Sequence, residues 1–304
     1  MSYLTHRFVG GAPALHRAVA RAYYHNAFYR QKLRQAGITP DQVWTPEDLR
    51  RVPFTSRAEL VGDPWILLAE SRSELSQAHV STGTSGQPPF YVFFSWDDLM
   101  LRGLAPLVEG APMSVLSPIG EGHRVINALP YEVSVTGLAI HRGLQDGIGA
   151  CVVPVGKGGH YADPDKTIRM MRQLEPDHLF TTPSYALYLA DRRDAQPDGG
   201  ANGGANGRRE IGLRSIWLIG ESISPAFRRL VERRWQASAF LYYGSLEAGP
   251  ISVECLLQQG GHVATNFVHV EVAPGDVPAR PDLPGELGEI VVTTLPVFLR
   301  SSTM

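Results

Sequence analysis

A stretch of hydroxyl residues and glycines in the first third of the chain has the composition of a phosphate-binding loop. In the segment VSTGTSG, residues 80–86, hydroxyl donors alternate with glycines, which let backbone N–H groups face an anion. The segment lacks the P-loop pattern GxxxxGK[ST], and the β-prone run PFYVFFSW follows it instead of a helix. The residues expected to hold a nucleotide triphosphate are Ser81, Thr82, Gly83, Thr84, Ser85 and Gly86.

Two later segments follow apolar runs that are typical of buried strands. In LIGESIS, Gly220, Glu221 and Ser222 come directly after such a run. The carboxyl ends of parallel strands are where open α/β sheets bind nucleotides. In YYGSLE, residues 242–247, Glu247 offers the hard oxygen ligand that Mg²⁺ prefers. A plain turn between a strand and a helix explains the first segment equally well.

The spacing of apolar residues along the chain predicts a mixed α/β protein. Short apolar runs such as VINAL, SIWLIG and AFLYYG alternate with helical patterns such as DPDKTIRMMRQLEP. This alternation is typical of a largely parallel sheet covered by helices. One helix is predicted over residues 15–35, and another begins at Pro225 after the capping Ser224. Residues 194–209, which contain a tandem GGAN, are interpreted as a flexible surface loop.

Length, charge and cysteine content narrow the class of protein. The 304 residues, 43% of them hydrophobic, suffice for one large domain with subdomains. A formal net charge of −2 gives no field that would attract nucleic acid or an anionic membrane, so neither is expected as a partner. Two cysteines do not make a disulfide framework, and no apolar run reaches transmembrane length. We therefore expect a soluble, cytoplasmic protein.

The order of these segments resembles the adenylate-forming enzymes, and among them the phenylacetate–CoA ligase branch. That branch has an FYR element, an LPFT(T/S)K segment and an SSGTTGKP loop where this chain has AYYHNAFYR, RVPFTSRAEL and VSTGTSGQP. The likeness continues through NALPYEVSVTGLAIHRG, LFTTPSYA, LIGESIS, YYGSLEAG and GELGEIVVTTLP, nearly to the end of the chain.

The resemblance implies the large domain of these enzymes, a mixed α/β fold of several subdomains with covered, largely parallel sheets. It would span residues 1–304, with a helical and turn-rich part at 1–78 and a core that binds nucleotide and acid at 79–304.

The chemistry implied by the resemblance is attack of a carboxylate on the α-phosphorus of ATP, which releases pyrophosphate and leaves an acyl-adenylate. CoA thioester formation is the implied second step, so the implied cofactors and co-substrate are ATP, Mg²⁺ and CoA. The loop hydroxyls would hold the β- and γ-phosphates, with Thr84 as a catalytic residue. Such a reaction needs alignment and charge neutralisation more than covalent help from the protein.

The resemblance also gives roles to the later segments. Tyr243 would stack on adenine, and Glu247 would bind Mg²⁺ as a catalytic and metal-binding residue. Tyr131 and Gly137 are the chosen residues of the acid pocket, because an apolar cavity with one aromatic wall favours an aryl or arylalkyl acid. The remaining predicted nucleotide-binding positions are Gly220, Glu221, Ser222, Tyr242, Gly244 and Ser245.

Several departures from the family pattern bear on activity. Gln87 stands where the family usually has a lysine, and Leu246 where it has a hydroxyl residue near the α-phosphate. The sequence stops before the family's ribose-binding aspartate and its small C-terminal domain with a catalytic lysine. It is then either the large domain of a longer enzyme, which we favour, or a naturally short relative with altered activity. Cys255 and His262 match a zinc-binding pair of some members. Because structural zinc takes four ligands, we expect instead a buried cysteine and a surface histidine.

Two other functions stay open at this point. In one, the acyl group passes to a carrier protein or an amine instead of CoA. In the other, the chain is a degenerate nucleotide- or acid-binding protein that no longer catalyses, which Gln87 and Leu246 would favour. A homodimer is the assembly left open alongside a monomer.

Overall fold

The computed structural model describes residues 11–81, 88–96, 98, 118–196, 211–273 and 288–295. The described residues within 1–101 and 263–304 form one compact unit, and those within 102–262 form a second. The division at residues 78 and 79 stays a prediction. Residues 82–86 of the predicted phosphate loop, and the predicted surface loop from residue 197 to 209, lie outside the described residues. In the described parts of the chain, no helix combines the length and apolarity needed to cross a membrane.

The first unit combines short helices with two antiparallel strand pairs. Strands β1 (Leu75–Val80) and β2 (Tyr91–Ser95) pair with each other, and the predicted phosphate loop falls between them in the sequence. Near the end of the chain, β10 (Val268–Ala273) pairs with β11 (Glu289–Thr294). The helices are α1 (Gly11–His25), α2 (Ala27–Gln35), α3 (Pro46–Leu49) and α4 (Arg57–Leu60), with 3-10 turns at Pro40–Gln42 and Arg72–Glu74.

The prediction of one continuous helix over residues 15–35 is wrong at Asn26. This buried residue separates α1 from α2, and its side-chain oxygen accepts the Tyr29 N–H as the N-cap of α2. Its side-chain nitrogen donates to the carbonyl oxygens of Ile66 and Leu68. Because those partners are distant in sequence, the local apolar pattern gave no sign of the break.

A seven-stranded sheet is the centre of the second unit. Its spatial order is β4-β3-β5-β6-β7-β8-β9. The five strands from β4 to β7 in this order are parallel, and β8 runs antiparallel to β7. The predicted, largely parallel sheet is therefore confirmed. The strands are β3 (Arg124–Ala128), β4 (Cys151–Pro154), β5 (His178–Thr181), β6 (Ser215–Ile219), β7 (Ser238–Ser245), β8 (Gly249–Glu254) and β9 (Gly261–Val263).

Helices cover both faces of this sheet. The helices are α5 (Thr136–Arg142), α6 (Pro164–Leu174), α7 (Pro183–Ala195) and α8 (Pro225–Trp235), and a π-helical turn at Gly143–Ile148 follows α5. Apolar residues of α5 and the π-helical turn pack on one face, and those of α6, α7 and α8 pack on the other. The predicted helix start at Ser224 and Pro225 is confirmed, since the Ser224 side chain accepts the Phe227 N–H.

The order of the parallel strands reverses at β3. From β3 the chain passes through α5 to β4 on one side of β3, and then through α6 to β5 on the other side. In open α/β sheets, ligands bind outside the carboxyl ends of the strands at such a reversal. A ligand site in this unit is therefore expected at the turns that follow β3 and β5.

A buried polar network lies at the opposite, amino end of the parallel strands. His178 Nδ1 lies 2.7 Å from the Ser215 hydroxyl, which also accepts the indole N–H of Trp217 at 3.0 Å. His178 Nε2 lies 3.0 Å from Nδ1 of His123. Nδ1 of His123 also accepts the Gly120 N–H at 3.0 Å, so His178 donates to it from Nε2. In the neutral ring Nδ1 of His178 is then unprotonated and accepts from the Ser215 hydroxyl. Burial, aided by the neighbouring His123, lowers the pKa of His178 to about 4.

This network predicts a loss of stability in mild acid. The unfolded histidine takes up a proton near its ordinary pKa of 6.5, whereas the folded one does so only near pH 4. The contribution of His178 to the free energy of unfolding should therefore be constant above pH 6.5 and fall by roughly 3 kcal/mol as the pH drops to 4. Urea denaturation of the parent and of His178→Gln at several values of pH in this window measures the change. An equal pH dependence in the two proteins would contradict the assignment.

Candidate functional site

The carboxyl edge of the parallel sheet carries most of the predicted site residues that the structure describes. Tyr131 follows β3, residues 220–222 follow β6, and residues 242–245 end β7. Since the carboxyl ends of parallel strands lie at one edge, the predicted acid-side and nucleotide-side residues of the second unit share that edge. Their individual roles stay predictions.

Tyr131 lies in a hydrogen-bonded cluster formed by β3 and α5. Its phenol oxygen accepts a hydrogen bond of 2.7 Å from the side-chain nitrogen of Asn127, which also donates to the Gly137 carbonyl at 2.9 Å. The same phenol oxygen lies 3.1 Å from His141 Nδ1. Burial raises the pKa of Tyr131 and outweighs the opposite effect of the Asn127 hydrogen bond, so the phenol keeps its proton at neutral pH.

Gly137 fixes the start of α5 against the end of β3. Its N–H donates to the Pro130 carbonyl at 2.9 Å, and a Cβ at this position would overlap that carbonyl oxygen and approach the Tyr131 ring within 2.9 Å. The residue is buried. Close backbone packing therefore explains why glycine is needed here, and contact of Gly137 with an acid stays a prediction.

Glu221 joins the end of β6 to the first turn of α7. Its carboxylate accepts the Ser184 N–H at 2.8 Å and the Ser184 hydroxyl at 2.7 Å, and it forms an ion pair of 3.4 Å with Lys157. Burial alone would raise the pKa of Glu221, but the hydrogen bonds from Ser184 and the charge of Lys157 outweigh it, so the pKa lies below its ordinary value. The preceding Gly220 has a φ of 87°, a conformation that favours glycine.

The two adjacent tyrosines of β7 point to different environments. Tyr242 packs against the hydrophobic cluster on the α5 face, and burial raises its pKa. Tyr243 is 47% exposed, which leaves its ring accessible to a flat ligand such as adenine. Because successive strand residues alternate between faces, one of the pair is committed to the core while the other reaches solvent.

Glu247 lies in the turn that connects β7 to β8. The Ser245 hydroxyl accepts the Ala248 N–H at 3.1 Å across this turn. A Cβ at Gly244 would lie 2.6 Å from the Gly249 carbonyl oxygen, so the two strands approach too closely there for another residue. Gly244 and Ser245 thus shape the turn that carries Glu247, and their contact with a nucleotide stays a prediction.

In the first unit, Ser81 anchors the start of the predicted phosphate loop. Its hydroxyl oxygen accepts hydrogen bonds from the Phe90 N–H at 3.1 Å and from the Arg57 guanidinium at 3.0 Å. Arg57 also donates to the Pro88 carbonyl at 3.3 Å, and its guanidinium lies 4.7 Å from the centre of the Phe90 ring. A cation therefore connects the described residues on either side of the loop.

The described residues fit Mg²⁺ bound together with a nucleotide better than a structural metal site. Cys255 is buried and His262 is exposed, as predicted. No group of three or more His, Cys, Asp or Glu side chains within the described ranges is arranged to hold a metal ion. Mg²⁺ that arrives with ATP takes most of its ligands from phosphate and water, so one half-buried carboxylate such as Glu247 suffices.

The chain is similar in sequence to several bacterial phenylacetate–coenzyme A ligases. It is 31% identical to that of Thermus thermophilus over 288 residues, which cover 92% of this chain and 60% of the relative. It is 29% identical to that of Escherichia coli over 284 residues, which cover 90% of this chain and 60% of the relative. The predicted resemblance is confirmed. This phenylacetate–CoA ligase-like chain spans about 60% of the length of the curated relatives it matches. No family model matches it.

Two solved structures illustrate the likeness in fold. A 2-hydroxyisobutyryl-CoA ligase in an open conformation, in complex with 2-HIB-AMP and CoA, matches with a TM-score of 0.79 and 20% identity, over 93% of this chain and 64% of that chain. ATP-bound MatB from Rhodopseudomonas palustris matches with a TM-score of 0.51 and 17% identity, over 76% of this chain and 42% of that chain. At these identities the likeness shows the fold alone, and the predicted mixed α/β fold with a largely parallel sheet is confirmed.

Four residues that hold the predicted site residues in place by hydrogen bonds were not predicted from the sequence. Asn127 and Arg57 hold Tyr131 and Ser81, and Lys157 and Ser184 hold Glu221. One signal was readable: Asn127 is the polar residue within the apolar run VINAL. The partners themselves lie in other elements, so no local pattern identifies them.

The packing of Gly137 predicts a large effect of one added methyl group. Gly137→Ala should lower the free energy of unfolding by about 1–3 kcal/mol, because the new Cβ overlaps backbone that cannot move without shifting α5. Gly212→Ala is the matched control, since a Cβ at Gly212 meets nothing within 4 Å. Urea denaturation of both variants measures the difference. Equal stabilities would show that the turn between Pro130 and α5 is more adaptable than its geometry indicates.

Proposed function

We propose that this chain activates a carboxylic acid with ATP to give an acyl-adenylate, with transfer of the acyl group to CoA as the second step. The observation that carries the proposal is the shared carboxyl edge of the second unit. The predicted acid residue Tyr131 follows β3 there, and the nucleotide-side residues Gly220 and Tyr243 lie at the ends of β6 and β7, with β5 between β3 and β6. Relatives named phenylacetate–coenzyme A ligase, similar over about 90% of this chain, support it. ATP, Mg²⁺ and CoA are the proposed cofactors and co-substrate.

The residues of the second unit have distinct tasks in this proposal. The accessible ring of Tyr243 stacks on adenine, and the backbone at Gly220 is open, since a Cβ there would meet nothing within 4 Å. Glu247 supplies the carboxylate for Mg²⁺, which neutralises phosphate charge when it is bound. Glu221 acts mainly by position, since Ser184 and Lys157 already occupy its oxygens.

In the first unit, the hydroxyls of the predicted phosphate loop, Thr84 among them, are proposed to hold the β- and γ-phosphates. Arg57 and Ser81 fix the chain where it enters that loop. The acid oxygen then attacks the α-phosphorus, the bond to the bridging oxygen breaks, and pyrophosphate leaves.

The proposed acid is aryl or arylalkyl. Half-buried Tyr131 provides an aromatic wall at the carboxyl edge, and the relatives are named for phenylacetate. An apolar site with few polar groups binds such acids better than dicarboxylates. A carrier protein as the acyl acceptor and a homodimer as the assembly stay predictions.

A second candidate is a protein that binds the nucleotide or the acid without catalysis. Gln87 removes a cation from the phosphate loop of the family pattern, and Leu246 removes a hydroxyl beside the reacting phosphate. Because the reaction depends on preorganised charge, these losses favour binding over turnover.

Acid-dependent exchange between pyrophosphate and ATP separates the two candidates. The parent should exchange with phenylacetate present and not without it. Glu247→Gln should weaken magnesium-dependent ATP binding by about 1–3 kcal/mol and reduce exchange accordingly, because a charged ligand is lost. Glu289→Gln, an exposed residue in β11, is the matched control and should behave as the parent.

Binding of ATP without exchange, for every aryl, aliphatic and dicarboxylic acid in a panel, would support the binding protein. Preference for a dicarboxylate would contradict the proposed acid class.

A further inference from the structure

The hydrogen bonds around Tyr131 have a direction that can be assigned. The Asn127 amide has only one compatible orientation, because its nitrogen faces the Gly137 carbonyl at 2.9 Å and its oxygen accepts the Leu129 N–H at 3.3 Å. The second hydrogen on that nitrogen is then the one that points at the Tyr131 oxygen, 2.7 Å away. Asn127 is therefore the donor, and the phenol oxygen is the acceptor.

In the tautomer that the Gln145 oxygen favours, His141 accepts a hydrogen bond from the phenol. Its Nδ1 lies 3.1 Å from the Tyr131 oxygen, and its Nε2 lies 2.8 Å from the side-chain oxygen of Gln145. A neutral imidazole with its proton on Nε2 donates to Gln145 and accepts at Nδ1. The chain of donors then runs from Asn127 through Tyr131 and His141 to Gln145, and every contact pairs one donor with one acceptor.

This direction limits what Tyr131 can offer to a ligand. A phenol has one proton and two lone pairs. The phenol proton is donated in the hydrogen bond to His141, and the hydrogen bond from Asn127 occupies one lone pair. The second lone pair is left, and the half-buried ring lies at the carboxyl edge of β3. Toward a bound acid, the Tyr131 oxygen is thus an acceptor and not a donor.

We propose that Tyr131, held in this state by Asn127 and His141, selects acids that carry a hydrogen-bond donor, such as a ring hydroxyl, over acids of similar size that carry only an acceptor. Asn127 and His141 are positioning residues in this scheme. The inference rests on the proposed function, in that it takes Tyr131 to face the acid. If a ligand presents an acceptor to this oxygen, two lone pairs face each other and no hydrogen bond forms. Sites built around a buried hydrogen bond discriminate strongly against ligands that cannot form it.

The test compares matched pairs of acids on the full chain in the presence of ATP. The pairs are 3-hydroxy- with 3-fluorophenylacetate and 4-hydroxy- with 4-fluorophenylacetate, because fluorine replaces the hydroxyl at similar size without a proton. Acid affinity is measured by titration calorimetry, and pyrophosphate release is measured alongside. In at least one pair, the parent should bind the hydroxyl acid about three- to tenfold more tightly, the range expected for one hydrogen bond.

Three variants separate the proposed role from simple packing. Tyr131→Phe should remove the preference. His141→Asn keeps a side-chain oxygen where Nδ1 lies, so it should retain the preference. His141→Leu has no acceptor, which frees the phenol proton to turn toward the ligand, so it should lose the preference while the protein stays folded by thermal unfolding.

Equal affinity for the hydroxyl and fluoro acids in both pairs would overturn the inference. So would a folded His141→Leu protein with the full preference of the parent. Selective binding without pyrophosphate release would contradict the proposed ligase activity alone, and release with every acid but no selectivity would contradict only the role of Tyr131.

Discussion

Parallel pairing of β3 with a neighbour on each side is the constraint on which the second unit depends. It places the strand inside the sheet, between β4 and β5, where Val125, Ile126 and Ala128 are fully buried. It also requires crossover helices on both faces, which α5 and α6 provide. The reversal of strand order at β3 follows, and with it the carboxyl edge where Tyr131, Gly220 and Tyr243 are found.

Polar groups at the two ends of this sheet are stabilised in different ways. At the amino end, His178 is fully buried and neutral. The Trp217 indole N–H donates to the Ser215 hydroxyl, which in turn is hydrogen-bonded to His178 Nδ1. At the carboxyl end, Glu221 stays ionised, since its carboxylate is partly solvated and bonded to Ser184. Charge is costly to bury without a partner, so the fully buried His178 is neutral, whereas the ionised Asp177 next to it is paired with Arg214 at 3.1 Å.

Much of the fold could be predicted from sequence, because it depends on local patterns. Two kinds of local signal are apolar runs of strand length and the pair Ser224 and Pro225 at a helix start. In both, the interacting residues are close together in the sequence. Asn26 breaks a predicted helix because of carbonyls forty residues away, and Arg57 reaches Ser81 across 24 positions. Such partners are set by tertiary structure. Asn127 differs, since it lies only four residues before Tyr131. The sequence gives no sign, however, that its side chain contacts both the Tyr131 oxygen and the Gly137 carbonyl.

The close packing of Gly137 against the Pro130 carbonyl also limits how the proposed acid site can change size. With its first turn bonded to the end of β3, α5 has no room to move inward, and its buried Ile140 is part of the cluster that fills the same face of the sheet. A larger or smaller acid must then be accommodated by exchanging side chains on a fixed backbone. Among homologues and in engineering, substrate range should therefore vary through side chains such as that of Tyr131, while the helix keeps its place.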